Sequence, residues 1–234
     1  MRVAVAANFA SAAEEICAAF HAETGNECVL SLGSTGKLYA QIEQGAPFDV
    51  FLAADQARPA RCIADGHCIE GSAFTYAIGR LALWSPAPSF SGDESALRED
   101  AQFDTLAIAN PATAPYGAAA METLQALGLS DKLGDRIVQG DSVTQTYQFV
   151  SSRAADLGFV ALSQVRDDGA RAWVVPQELY TPLFQDGAVT VLGAEKASAA
   201  AFVQFLRSDR ACAMIERFGY DVRGECSAPS HLSR

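Results

Sequence analysis

No apolar run in this 234-residue chain approaches the roughly 20 residues that a membrane-spanning helix needs. Positive charge is scarce: 17 Lys and Arg stand against 28 Asp and Glu, for a net charge of −11. That balance argues against nucleic acid or an anionic membrane surface as a partner, because both are bound through Lys and Arg. A small anion is still admissible, since oriented dipoles and hydrogen bonds can hold one in a neutral pocket. Catalytic signatures are also missing. There is no GxSxG nucleophile turn. The run Gly33-Ser34-Thr35-Gly36-Lys37 looks like a piece of a phosphate loop but lacks the full GxxxxGK[ST] spacing, and Gly117 and Gly128 do not compose a dinucleotide fingerprint. Only three His occur, at 21, 67 and 231, each in a surface-like context, so general acid–base work by His is not expected. No signal peptide opens the chain: Met1 runs directly into the strand-like Val3-Ala4-Val5-Ala6, a start shared by a chain without its leader and by a cytosolic protein.

Half of the residues are hydrophobic, enough for one large α/β domain or for two lobes. Six cysteines, at 17, 28, 62, 68, 212 and 226, fall into three short-range pairs. Paired as neighbours they would be Cys17 with Cys28, Cys62 with Cys68 and Cys212 with Cys226, one of fifteen connectivities, and the pattern favours an oxidising compartment. Buried free thiols are the alternative. A zinc site from Cys62, His67 and Cys68 is disfavoured, because no second Cys/His pair has matching spacing.

Hydrophobic periodicity predicts an α/β order. A strand over Val3–Ala7 leads to a helix with Ala12, Ile16, Ala19 and Phe20 inward. A strand over Glu27–Ser31, a helix carrying Leu38 and Ile42, and a strand over Val50–Ala53 follow, and Asp55 caps a helix over Gln56–Asp65. The long run Tyr76–Trp84 is expected to carry a crossing into a second lobe near Gly79–Leu83. There the alternation resumes, with strands at Thr105–Ala109, Arg136–Val138 and Leu157–Ala161 and helices over Gly117–Leu127 and Val143–Ser152. A return strand is expected at Val189–Leu192, then one or two helices over Ala197–Phe218. The expected division is 1–80 plus 189–234 for lobe I and 81–188 for lobe II, with a ligand cleft between them.

Four turns look alike: Asn8 to Ser11, Ser34 to Gly36, Tyr116-Gly117 and Ser142-Val143 each open a helix. Each offers unpaired N–H donors at the positive end of a helix dipole, and in open α/β sheets such turns gather at the carboxyl ends of the strands. Two come from each lobe, so together they could cage a compact oxyanion. Their side chains are donors without fixed charge, with Lys37 the one cation nearby. Such a cage suits reversible binding better than phosphoryl transfer, and it favours a fully deprotonated oxyanion over one that still carries a proton and needs an acceptor.

These passages resemble the molybdate-binding periplasmic proteins of ABC transporters, the ModA family. The likeness is carried by VAVAANFASAAEEI, SLGSTGKLYAQIEQGAPFDVFLAAD, NPATAPYGAAAMETLQALG, LGFVALSQV and the closing RFGYDV. It implies a two-lobed type II periplasmic binding protein fold with two crossover segments, and a periplasmic, non-enzymatic, monomeric protein without a cofactor. Such a protein would capture molybdate or tungstate and deliver it to a membrane permease. By motif, the resemblance places the oxyanion against Asn8, Thr35 with Ser34, Tyr116, and the backbone N–H of Val143. Ala161 stands where some members carry a Tyr, and Tyr116 would supply that hydroxyl. The competing readings are a binding protein for sulfate or chromate, and a transferase using the same cleft.

Overall fold

The computed structural model describes residues 1–98, 103–166 and 171–222. The chain opens with β1 (Arg2–Ala6), a short 3-10 turn at Ala7–Phe9 and α1 (Ala10–Thr24), which ends where Gly25 takes a left-handed φ of 73° and returns its N–H to the His21 carbonyl. Then come β2 (Val29–Gly33), α2 (Thr35–Glu43), β3 (Val50–Leu52), α3 (Ala57–Ala64) and β4 (Phe74–Gly79). Asp55, one residue before the N-cap Gln56, accepts the Arg58 N–H in the first turn of α3 at 2.8 Å. The middle of the chain supplies β5 (Leu81–Trp84), β6 (Leu106–Ala109), α4 (Pro115–Ala126), α5 (Ser130–Leu133), β7 (Ile137–Gly140), α6 (Val143–Ser151), β8 (Leu157–Ala161), α7 (Leu162–Val165) and β9 (Ala172–Val174). The last part returns as β10 (Leu183–Val189), α8 (Ala197–Leu206) and α9 (Asp209–Arg217).

The strands form two sheets. The first has the order β2-β1-β3-β10-β4, with β1 parallel to both β2 and β3, and β10 antiparallel to β3 and β4. The second has the order β7-β6-β8-β5-β9, with β6 parallel to β7 and β8, and β5 antiparallel to β8 and β9. Central strands covered on both faces tend to near-continuous apolar runs; Val3–Val5 and Val50–Leu52 are fully buried. On one face of the first sheet Ile16 and Phe20 of α1 meet Phe202, Phe205 and Ile215 of α8 and α9, and on the other lie Leu38 and Ile42 of α2 and Cys62 of α3. The second sheet is packed by Ala120 and Leu124 of α4 on one side and Val150 of α6 on the other. Two sheets with separate helical covers make the two lobes of a type II binding fold.

The lobes are joined twice. Arg80 alone separates β4 from β5, inside the expected first crossing. The return is earlier than expected: Leu183–Val189 pairs with β3 and β4 of the first sheet, so the division at 188/189 misplaces this strand. The reason is the polar centre Gln185-Asp186-Gly187, which breaks the apolar pattern of a buried strand. Gln185 is nonetheless fully buried, and the register shifts between it and Asp186. Strand β9 also went unread, because three residues carry too little periodicity.

Cys62 and Cys68 form a disulfide closing the loop after α3, with Cα atoms 5.1 Å apart, which removes them as zinc ligands. Cys17 and Cys28 pack in one core but are free thiols, not covalently joined. The third expected pairing involves Cys226, which with His231 lies outside the described residues. Closing a short loop of separation 6 restricts the unfolded chain. Replacing both Cys62 and Cys68 by Ser is expected to lower stability by about 2 kcal/mol. Urea unfolding checks this, and an unchanged midpoint would show that the bond contributes nothing.

Candidate functional site

The carboxyl ends of β1, β2, β6 and β7 face one another across the two sheets, and each is followed by a turn that opens a helix. Between the turns lies a small cavity of about 10 Å³, lined by Ala6, Ala7, Asn8, Gly33, Ser34, Thr35, Ala54, Ala114, Pro115, Tyr116, Ser142 and Val143. All five residues singled out from the sequence, Asn8, Ser34, Thr35, Tyr116 and Val143, are therefore on one wall or another. All five are buried. A wider hollow on the second lobe lies beside Pro86, Phe90 and Arg153.

The lobes are shut around the cavity. Gly36 donates its N–H to the Thr113 carbonyl at 2.9 Å, and a Cβ at Gly36 would lie 3.1 Å from the Thr113 backbone, so the small residue permits this approach. Thr144 donates to the Ala7 carbonyl at 3.0 Å, Ser163 to the Asn8 carbonyl at 3.2 Å, and Arg58 to the Ala112 carbonyl at 3.1 Å. Lys37 reaches across to Asp141 at 2.8 Å. The cation noted in the sequence is thus neutralised at the rim. No lining residue carries a formal charge.

What the walls offer is protons. The Thr35 hydroxyl accepts the Ala54 N–H at 3.0 Å, which leaves its own proton to donate elsewhere. The Ser34 hydroxyl caps nothing and is buried without a hydrogen-bond partner, although an orphaned buried hydroxyl costs free energy. Tyr116 stands in the first turn of α4, whose fixed start is Pro115. Burial pushes its hydroxyl well above the ordinary tyrosine range, so it stays a donor. Val143 occupies the first position of α6, where a helix N–H has no intrahelical acceptor. Its side chain is apolar, so the backbone N–H is what it can present.

Asn8 departs from a simple donor role. Its Nδ2 donates to Gln185 Oε1 at 2.9 Å and to Tyr220 Oη at 3.2 Å, so both amide protons are spent beneath the cavity. The sequence reading missed Gln185, Tyr76 and Tyr220, which form this buried layer. A polar residue inside the apolar run of β10 was the one available signal for Gln185. Neither His21 nor His67 lines the cavity, and among the described residues no cluster of three or more His, Cys, Asp or Glu could hold a cation.

The family model for bacterial extracellular solute-binding proteins matches residues 1–221. The molybdate-binding protein ModA of Azotobacter vinelandii is 43% identical over 227 residues, spanning 95% of this chain and 90% of that protein. ModA of Rhodobacter capsulatus is 44% identical over 218 residues, spanning 93% and 86%. The solved structure of the Azotobacter vinelandii periplasmic molybdate-binding protein matches with a TM-score of 0.91 at 39% identity, over 96% of this chain and 100% of that one. The family and these relatives are binding proteins, so the chain is a solute-binding protein and not an enzyme. With a family model over residues 1–221 and ModA relatives 43–44% identical over 93–95% of its length, the chain belongs to the bacterial extracellular solute-binding proteins, within their molybdate-binding ModA family.

Proposed function

We propose that this protein captures molybdate or tungstate as a dianion between its lobes and hands it to the membrane permease of an ABC transporter. The observation that carries the reading is the set of unspent donors in an uncharged, shut cavity: the orphaned Ser34 hydroxyl, the free protons of Thr35 and Tyr116, and the N–H that opens α6 at Val143. Helix N-termini favour an anion there without any fixed cation. The protein works as a monomer outside the cytoplasmic membrane, needs no cofactor and does not bind nucleic acid. The Cys62–Cys68 disulfide fits an oxidising compartment, and the net charge of −11 is unfavourable for a polyanion. The two crossings, at Arg80 and between Tyr180 and Leu183, are the hinge about which the lobes part.

Titration calorimetry on protein stripped of ligand is expected to show tight, one-to-one binding of molybdate and tungstate and weaker binding of sulfate. No heat with the first two ions would end the proposal, and tighter sulfate binding would replace the ligand. Thr35→Ala and Tyr116→Phe are each expected to weaken molybdate binding by about 1–3 kcal/mol, the cost of losing a hydrogen bond to a charged group. Ser34→Ala is expected to weaken binding by a similar amount of about 1–3 kcal/mol while leaving ligand-free thermal stability unchanged or raised, since it deletes a buried hydroxyl without a partner. A stability loss with intact affinity would place Ser34 outside the site.

A further inference from the structure

The layer beneath the cavity has a direction, and it can be read from one atom whose role is fixed. The backbone carbonyl of Asn8 can only accept; Tyr220 Oη lies 2.6 Å from it and 3.0 Å from Ser163 Oγ, whose own proton goes to the same carbonyl, so the Tyr220 proton is directed to these acceptors and away from the Asn8 side chain. The atom of the Asn8 side chain facing Tyr220 Oη, at 3.2 Å, must then be a donor, which assigns it as Nδ2. Nδ2 in turn faces Gln185 at 2.9 Å, so that atom of Gln185 must be the acceptor Oε1, also 3.1 Å from Tyr76 Oη. The Gln185 amide is thereby locked with Nε2 toward Tyr116, and it donates to the Tyr116 hydroxyl at 3.3 Å. A hydroxyl that accepts from Gln185 cannot return its proton to Gln185.

The contact is also sterically built. Gln185 is fully buried, and Gly79, the last residue of β4, lies directly under the pair. A Cβ at position 79 would stand 2.1 Å from Tyr116 Oη and 2.6 Å from Gln185 Nε2. The absence of a side chain there lets an amide from the first lobe meet a hydroxyl from the second at the crossing itself.

We propose that Gln185 is the positioning residue of the oxyanion cage: the relay from the Asn8 carbonyl through Tyr220, the Asn8 amide and Gln185 turns the Tyr116 proton into the cavity and keeps any acceptor from facing the ligand there. This rests on the oxyanion reading above. It extends that reading by making selection for a fully deprotonated anion depend on a residue that never touches it.

Calorimetric titration of molybdate into wild type, Gln185→Met, Tyr116→Phe and the double variant tests the inference. Gln185→Met is expected to lose about tenfold or more in affinity, on the scale of one hydrogen bond to a charged group, but less than about threefold when Tyr116 is already Phe. Equal losses in both backgrounds, or none in Gln185→Met, would overturn it. Wild type that binds neither molybdate nor tungstate would instead overturn the proposed function, and the inference with it. Gln185→Glu gives a second arm should Gln185→Met fail to fold. A buried glutamic acid stays protonated up to about pH 8–9, and in that form supplies one donor and one acceptor as Gln does. Its affinity is therefore expected within about threefold of wild type near pH 6 and to collapse above about pH 9, where its carboxylate would accept the Tyr116 proton, while wild type changes little. Poor binding of this variant at both pH values, or pH-independent binding equal to wild type, would count against the relay.

Discussion

Helix N-termini carry N–H groups that the helix cannot satisfy, and this fold points the starts of four helical segments at one spot between two sheets. Most of the architecture around that spot can be understood as keeping it uncharged and dry. The parallel strands β1, β2, β6 and β7 bring the turns together at their carboxyl ends, because a strand-helix-strand crossover returns each chain to the same edge. The rim contacts shut the space, and Lys37 and Asp141 cancel each other at its edge instead of placing a charge inside. A neutral enclosure strengthens each dipole, because the effective dielectric is lower than in water.

Donors divided between lobes have a further consequence under the proposed reading. Thr35 and Ser34 belong to α2 and its cap in the first lobe, whereas Tyr116 and Val143 open α4 and α6 in the second. Separation of the lobes removes about half of the hydrogen bonds together and readmits water to the rest. A site built on a buried Arg or Lys would keep much of its attraction while open; one built from short-range donors would not. Strong holding and ready release are thus compatible because the interaction falls off steeply with distance.

Much of this was legible in the sequence. Alternating apolar runs gave the strand and helix order, and small polar turns before helices gave the cavity walls, since capping chemistry is local and leaves a local signature. The Asp55 carboxylate, which takes the Arg58 N–H in the first turn of α3, was visible for the same reason. What escaped was non-local. Gln185 reads as an interruption of a strand until Asn8, 177 residues away, is seen to need its carbonyl oxygen. Tyr220 lies beyond the last helix, 212 residues from Asn8, and although it stands in the closing RFGYDV passage nothing local ties it to the Asn8 turn. The mispaired Cys17 and Cys28 show the converse: spacing finds neighbours, but adjacency in a core is not a covalent bond.

The chain's last described residues tie this buried layer to the hinge. Arg80, the single residue between β4 and β5, makes a two-pronged ion pair with Asp221 at 2.8 and 3.0 Å, and Ile78 exchanges backbone hydrogen bonds with the same Asp221. Tyr220, which starts the relay beneath the cavity, is its immediate chain neighbour. The segment that fixes the polarity of the hydrogen-bond chain is therefore clamped to the element about which the lobes would turn. Gln185 sits just after the second crossing and meets Tyr116 over Gly79 at the first. A contact close to a rotation axis moves least when the lobes rotate. Under the proposed reading, the Tyr116 proton would stay directed in the open form for that reason while the remote rim contacts break, so the cage would need no reorientation of this donor when it closes.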